Sequence, residues 1–268
     1  MLGSGSSGNA TLVEAGATRI LLDAGLGPRE LAERLDSAGV DPASLSAVCL
    51  SHEHQDHSRG AASFSRKWGV RLCGTRGTYA AAGLGAEDIA GYDVLEPGVA
   101  RVFGSLEVLG VPVPHDAAAP VAFVVAAGGA RLGHATDLGH VTQSLAAAFQ
   151  GCQAILMESN YDPGMLRDGS YPWSLKERIL SPVGHLANGD VARYLATRLP
   201  GSCQEVVLAH LSEKNNHPEV ARMSAERGLE SSRRAARVSL TDRDGTDWID
   251  VGPVGRAAEA SGQMRLFE

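Results

Sequence analysis

His52, His54, Asp56 and His57 form the pattern H-x-H-x-D-H within six residues. Neutral imidazole with carboxylate is a donor set suited to zinc, manganese or iron. Alternate residues His52 and His54 can point to one side of a loop while Asp56 and His57 turn toward a neighbouring position, so the spacing suits two ions. A single ion would leave donors unused, and a merely solvated polar loop is the plain alternative. Further donors must arrive from elsewhere in the chain. His115 in VPVPHD, Asp137 in HATD and His210 in VVLAHL each follow an apolar run. A carboxylate such as Asp137 can bridge two cations about 3.5–4 Å apart and so help generate a nucleophile from water at neutral pH.

Such donors need a scaffold that brings strand ends together. Ser46 to Ser51 is β-rich and runs into the His/Asp cluster, which places the cluster on a loop at a strand's carboxyl end. Ahead of it, two β-rich runs around Ala15-Gly16 predict a hairpin ending in Asp23, and Pro28 to Leu35, followed by Gly39, carries helix punctuation. Val121–Ala127 and Ala130–Thr136 flank Gly128-Gly129 as a second hairpin closed by Asp137. Helical patterns at 140–150 and 188–198 alternate with strand-like runs at 153–158 and 204–209, which predicts a mixed α/β order without internal repeats.

Composition narrows the class. In 268 residues, 44% hydrophobic and 21% charged residues describe a soluble globular chain and exclude disordered and fibrous classes. The longest apolar stretch, from Val121, is too short for a membrane span, and no basic and apolar leader directs export, so a cytoplasmic location is expected. Cys49, Cys73, Cys152 and Cys203 are widely spaced and read as reduced, buried thiols. A net charge of −7 argues against a protein that coats nucleic acid through its overall field, but bound metal or a local basic patch can still receive a polyanion. One unit over 1–252 followed by a flexible tail over 253–268 is the expected organisation.

Taken together, Asp23, HEHQDH, His115, Asp137 and His210 resemble the five motifs of the metallo-β-lactamase fold superfamily over about residues 1 to 250. GSGSSGNAT, PHDAAAPVAF, ATDLGHV, MESNYD, YPWSLKERILSPVGHLAN and LAHLSEKNNHPE narrow the resemblance to its YycJ (WalJ)-like group. The resemblance implies an α/β αββα sandwich, two mixed sheets flanked by helices, with a dinuclear site at the sheet edge. It also implies a phosphodiesterase acting as a 5′→3′ DNA exonuclease in repair or replication. The superfamily also hosts β-lactamases, thioesterases and RNases, so hydrolysis of a small cyclic phosphodiester or another ester is the alternative. Carried over by residue, His52, His54 and His115 would hold one ion, Asp56, His57 and His210 the other, and Asp137 would bridge. The ions would be two of zinc or manganese, with iron also fitting the donors. Asp56, Asp137 and His185 would be catalytic, His185 contacting or protonating a phosphate oxygen.

Other positions leave two readings each. Asp23 orients a ligand loop or caps a turn; Glu158 and Asn160 support the ligands or lie on a surface loop; His185 serves the substrate or a helix start at Asn188. Ser6, Ser7, Gly8 and Asn9 can present amides and short side chains to a phosphate; the string also looks like a cloning remnant, though it runs on into a strand-like segment. His134, His140 and His217 are expected to be structural or exposed, and the arginines of SSRRAARV form a solvated face or meet a DNA backbone. Finally, QMRLF at Gln263–Phe267 resembles the Q-x-x-L-F peptide that docks on the bacterial sliding clamp, with Gln263, Leu266 and Phe267 as anchors. That tail gives a non-enzymatic alternative, a clamp-recruited interaction module.

Overall fold

The computed structural model describes residues 1–252 and 264–266. Fourteen strands among these residues form two seven-stranded sheets. In the first sheet, β1 (Thr11–Ala15) and β2 (Thr18–Leu22) form the predicted hairpin. Next to β2 lie β3 (Ala47–Cys49), β4 (Leu72–Gly74) and β5 (Tyr92–Val94), all parallel. The second sheet starts with β6 (Ala100–Phe103), β7 (Leu106–Pro112), β8 (Val121–Ala127) and β9 (Ala130–Ala135), an antiparallel meander. It continues in parallel through β10 (Ala154–Glu158), β11 (Glu205–Ala209) and β12 (Arg237–Leu240). The first sheet is completed by β13 (Ile249–Val251) and β14 (Met264–Leu266), with β14 lying antiparallel between β13 and β1.

Each sheet is therefore mixed, and the face between the two is apolar. Val13, Ile20, Leu22 and Cys49 of the first sheet meet Phe123, Val125, Leu132, Leu156 and Val207 of the second. Helices cover the outer faces. Leu31 and Leu35 of α1 (Pro28–Ser37) and Phe64 of α3 (Ala61–Trp68) pack on the first sheet; α2 (Gln55–Ser58) is a single turn in the His/Asp loop and α4 (Arg76–Ala81) follows β4. Leu145 of α5 (Gln143–Ala148) packs on the second sheet together with Val191 and Leu195 of α8 (Asn188–Arg198) and Ala225 and Leu229 of α9 (Pro218–Ser232). Strands β10 and β11 are buried on both faces, as their continuous apolar runs require. Burial of this surface, at roughly 25 cal/mol per Å² of apolar area, is the main stabilising term.

Three readings change. The helix expected over 140–150 spans Gln143–Ala148 because the Thr142 hydroxyl accepts from the Leu145 amide and fixes the start there. Between β10 and α8, two short helices that no periodicity signalled, α6 (Pro163–Asp168) and α7 (Trp173–Leu180), form a satellite layer around Leu166 and Ile179. The tail also departs from expectation. The backbone of Leu266 pairs with Val13 and Ile249 rather than standing free, because the outer edge of β1 offers unpaired N–H and C=O groups that a short strand satisfies. Gln263 and Phe267 lie outside the described residues. All four cysteines are buried and unpaired, and no helix among the described residues is long and apolar enough to cross a membrane.

Candidate metal centre

The ligand loop begins two residues after β3 and is held from behind. Gly25 passes so close that a Cβ there would lie 1.7 Å from the Asp56 carbonyl oxygen, so only glycine fits. The amide of Asn9 donates to that same carbonyl at 2.8 Å, and Ala24 donates to the His57 carbonyl at 2.7 Å. Asp23, 1% exposed, receives the Ser51 amide at 2.7 Å, the Ser51 hydroxyl at 2.9 Å and Nδ1 of His57 at 2.8 Å. It thus sits against the ligand loop and caps no helix.

Strand ends bring in the remaining donors. His115 follows β7, Asp137 follows β9, and His210 follows β11 directly. Asp23, Asp137 and His210 all have positive φ, 62°, 58° and 53°. For non-glycine residues this conformation costs on the order of 1 kcal/mol each, and such strain gathers where side-chain direction matters more than backbone comfort. The donors form two trios. His52, His54 and His115 offer ligand atoms within 4.8 Å of one another, and so do Asp56, His57 and His210. A third set, His52, His57 and Asp137, links the two, so Asp137 is within reach of both.

Hydrogen bonds select the ligating nitrogen of each ring. Nδ1 of His57 donates to Asp23, Nδ1 of His115 to the Gly184 carbonyl at 3.1 Å, and Nδ1 of His210 to Glu158 Oε1 at 2.9 Å. Each leaves Nε2 turned inward. In His54 the inward atom is Nδ1, 3.3 Å from Nε2 of His115. Nε2 of His52 and Oδ2 of Asp137 are buried without a hydrogen-bond partner, although Oδ2 lies 2.6 Å from Nε2 of His57. With the rings neutral, these buried lone pairs face one another and would be satisfied by a cation, which the imidazole and carboxylate donors suit.

Without a cation, the centre balances its charges through protons. Burial would lower the pKa of His57 and of His210. Asp137 and Asp23 reverse this for His57, and Asp137, Asp56 and Glu158 reverse it for His210, so both are held well above the usual imidazole range. His52 goes the other way, lowered by burial and by His57. Burial would raise Asp137, but His210 and His57 hold it well below the usual carboxylate range.

Glu158 is the most enclosed carboxylate of the group. Its Oε1 receives His210 and, at 2.7 Å, Nδ1 of His185, while Oε2 receives the amides of Leu138 and Leu186, each at 3.1 Å. His185 therefore lies at the centre, 3.3 Å from Asp137 Oδ1, and not merely at the start of α8. Asp137, Glu158, His185 and His210 form a further group able to hold an ion, which the sequence did not suggest. Asn160 donates to the His210 carbonyl at 2.9 Å, and Ser4 accepts the His210 amide at 2.8 Å, a contact without any sequence signal.

The phosphate loop needs correction. Asn9 is 2% exposed, and its side chain is spent on Gly5, on the Asp56 carbonyl and against Nε2 of His57 at 3.1 Å, so it braces the ligand loop and faces no substrate. The Gly8 amide donates to Gly5, and Gly8 is buried against Gly25. That leaves Ser7, half-buried, with its carbonyl on Arg59, beside the exposed Ser6. His134 is a core histidine on Thr11, pushed by burial down to about 4. His140 contacts the Pro182 carbonyl, His217 caps α9, and Arg237 of SSRRAARV is paired with Glu205.

Comparison with known proteins agrees with this arrangement. Residues 3–185 match the metallo-beta-lactamase superfamily. The exodeoxyribonuclease WalJ of Streptococcus pneumoniae serotype 2 (strain D39 / NCTC 7466) is 35% identical over 84% of this chain and 85% of its own length. The exodeoxyribonuclease YycJ of Bacillus anthracis is 35% identical over 86% of this chain and 88% of its own. Among solved structures, the metallo-beta-lactamase fold protein YhfI from Bacillus subtilis superposes with a TM-score of 0.69 at 16% identity, over 91% of this chain and 96% of that one, a likeness of fold alone. With the family match, the identities and the layered fold in accord, the chain belongs to the metallo-β-lactamase superfamily.

Proposed function

We propose that this chain is a metal-dependent phosphodiesterase, an exodeoxyribonuclease that shortens DNA from the 5′ end in repair or replication. The observation that carries the reading is the pair of donor trios joined at Asp137, whose Oδ2 is buried without a hydrogen bond. Relatives 35% identical over most of their length and named exodeoxyribonucleases support DNA as the substrate. His52, His54 and His115 would hold one divalent ion, Asp56, His57 and His210 a second, and Asp137 both, with zinc, manganese or iron fitting the donors. When bound, such ions activate water at neutral pH and stabilise charge developing on phosphoryl oxygen.

The protein's own groups do the rest. Asp23 and Glu158 hold His57 and His210 in the tautomer that leaves Nε2 inward. His185, its Nδ1 held by Glu158, keeps Nε2 to contact a phosphoryl oxygen or give a proton to the leaving oxygen. The amide of half-buried Ser7, beside exposed Ser6, would meet a phosphate oxygen. Action in the cytoplasm, and docking of QMRLF on a sliding clamp once β14 leaves its sheet, belong to the same proposal.

Labelled oligonucleotides test it. With manganese or zinc, a 5′-labelled DNA strand should lose its label first as a mononucleotide, RNA should be cut less, and metal analysis should find about two ions per chain. Hydrolysis of bis(p-nitrophenyl) phosphate without digestion of DNA would favour the small-phosphodiester alternative. Clamp binding without any hydrolysis would favour the interaction module.

A further inference from the structure

The rim of the centre carries an ion pair that none of the assigned roles uses. Asp116 follows His115 directly, and its Oδ1 lies 3.4 Å from Nε2 of His115 and 4.0 Å from Nε2 of His54. Arg178, on the last turn of α7, grips this carboxylate with Nε on Oδ2 at 2.5 Å and Nη2 on Oδ1 at 3.1 Å. The two residues are distant in sequence but fixed on one rim. The Asp116 amide donates to the Val183 carbonyl at 3.1 Å, His115 donates to the Gly184 carbonyl, and the His185 amide returns to Ile179 at 3.0 Å. Among the described residues, Arg178 is the one arginine or lysine whose ion pair reaches a side chain bordering the donors. The nearest comparable cation on its own helix, Lys176, is spent on the Arg167 and Gly169 carbonyls, each at 2.7 Å.

Resting on the nuclease reading above, we infer that Arg178 binds a backbone phosphate of the DNA strand beside the scissile bond, with Asp116 holding the guanidinium ready. The chemistry fits the geometry. A guanidinium carries five N–H donors in a planar fork, and Asp116 takes two, so three remain for phosphate oxygens. The Arg178 side chain is 51% exposed, open to a strand approaching the centre. An ion pair this exposed adds little stability, so its place on the rim is better explained by what it can meet. A chain of net charge −7 also needs cations where a polyanion must approach, and one phosphate contact is a sequence-independent, salt-sensitive attraction.

The test compares Arg178→Gln, Arg178→Lys and Asp116→Asn in the full, manganese-loaded chain on a 5′-labelled oligodeoxynucleotide. Arg178→Gln should raise KM roughly tenfold, the loss of one charge-assisted contact, with a smaller change in kcat. The slope of log KM against log salt should flatten by about one. Arg178→Lys, which keeps the charge and loses the fork, should fall between and stands in should the glutamine variant fail to fold. Asp116→Asn loosens the hold on the fork but keeps the cation, so KM should rise less than for Arg178→Gln while the salt slope stays that of the parent. Equal rises in KM for Arg178→Gln and Asp116→Asn would mark the pair as a structural tie and overturn the inference. So would an Arg178→Gln enzyme with the parent's KM and salt slope. A parent chain inert toward DNA yet active on bis(p-nitrophenyl) phosphate would overturn the nuclease reading and this inference with it.

Discussion

The two sheets are built to one plan and serve the centre differently. In each, antiparallel pairing changes to parallel at one strand, β2 in the first sheet and β9 in the second. Shortly after each of these strands an aspartate sits at positive φ, Asp23 and Asp137. Asp23 spends both oxygens on Ser51 and His57, whereas Asp137 keeps Oδ2 without a hydrogen bond between the two donor trios. The first sheet thus supplies one contiguous ligand loop and a carboxylate that orients it. The second supplies single donors from separate strand ends and a carboxylate left within reach of both donor trios. Equivalent positions in the sheets have come to differ by one property, whether protein N–H and O–H groups satisfy the carboxylate.

Breaking that difference should give the largest effect. Asp137→Ala should lower turnover of a phosphodiester by at least about a thousandfold and leave a folded chain by circular dichroism. Substantial retained activity would end its proposed role between the ions. Asp23→Ala leaves the same donors in place but frees the His57 ring, so it should weaken metal binding by about 10–100-fold and lower activity through that loss, which excess metal should partly restore. Glu158→Gln is expected in the same range, because it unsettles His210 and His185 together. Calorimetric titration with manganese measures both variants, and a parent-like affinity in either would deny it an orienting role.

A pH series sharpens the contrast between the metal-free and the loaded centre. With burial overcome by Asp137 and the neighbouring carboxylates, His57 and His210 hold protons in the metal-free chain beyond the usual imidazole range. From about pH 6.5 up to those raised values, the folded metal-free chain binds more protons than the unfolded one, so its stability falls as pH rises. His52 and His115, both lowered chiefly by burial, oppose this at about pH 6.5, where unfolded imidazoles are still half protonated, and add little slope above about pH 7.5. Metal requires the same nitrogens unprotonated, so affinity rises with pH. Melting curves with chelator and with manganese should therefore slope in opposite directions from about pH 7 to 8, and parallel slopes would refute the assignment of these two histidines.

How far the sequence reveals this centre follows the same division. His52, His54, Asp56 and His57 are contiguous, so donor spacing alone displays them. His115, Asp137 and His210 show themselves only as polar residues ending apolar runs, and Asp137 gains its meaning from a sheet neighbour that spacing does not reveal. Asn9 reads as a phosphate contact because glycine and serine precede it; the approach of Gly25 to Asp56, a tertiary fact, turns it inward. Ser4 and Arg178 lie far along the chain from His210 and Asp116, the residues they contact, and both belong to segments with no periodicity to announce them. The layered fold was easier to read, since β10 and β11 are continuous apolar runs and the two hairpins carry glycine at their turns.

The smallest expected effect concerns the end of the first sheet, where β14 lies between β13 and β1. Strand β14 pairs Leu266, Arg265 and Met264 with Val13, Glu14 and Ala15 on one side and with Ile249, Asp250 and Val251 on the other. Ending the chain after Gly252 removes this strand and leaves β1 and β13 without a partner between them. At a net contribution of about 1 kcal/mol per backbone hydrogen bond, partly recovered by water and relaxation, the loss should be about 1–2 kcal/mol, a drop of a few degrees in Tm. Metal content and hydrolysis of bis(p-nitrophenyl) phosphate should match the full chain. The same truncation tests the clamp peptide, because a segment paired in its own sheet must leave it before docking, which lowers apparent affinity by the fraction released. Surface plasmon resonance against a purified clamp should then show weak binding by the full chain and none by the truncated one. Equal binding would remove QMRLF as a docking peptide, while an unchanged Tm would show that β14 adds nothing to the edge it occupies.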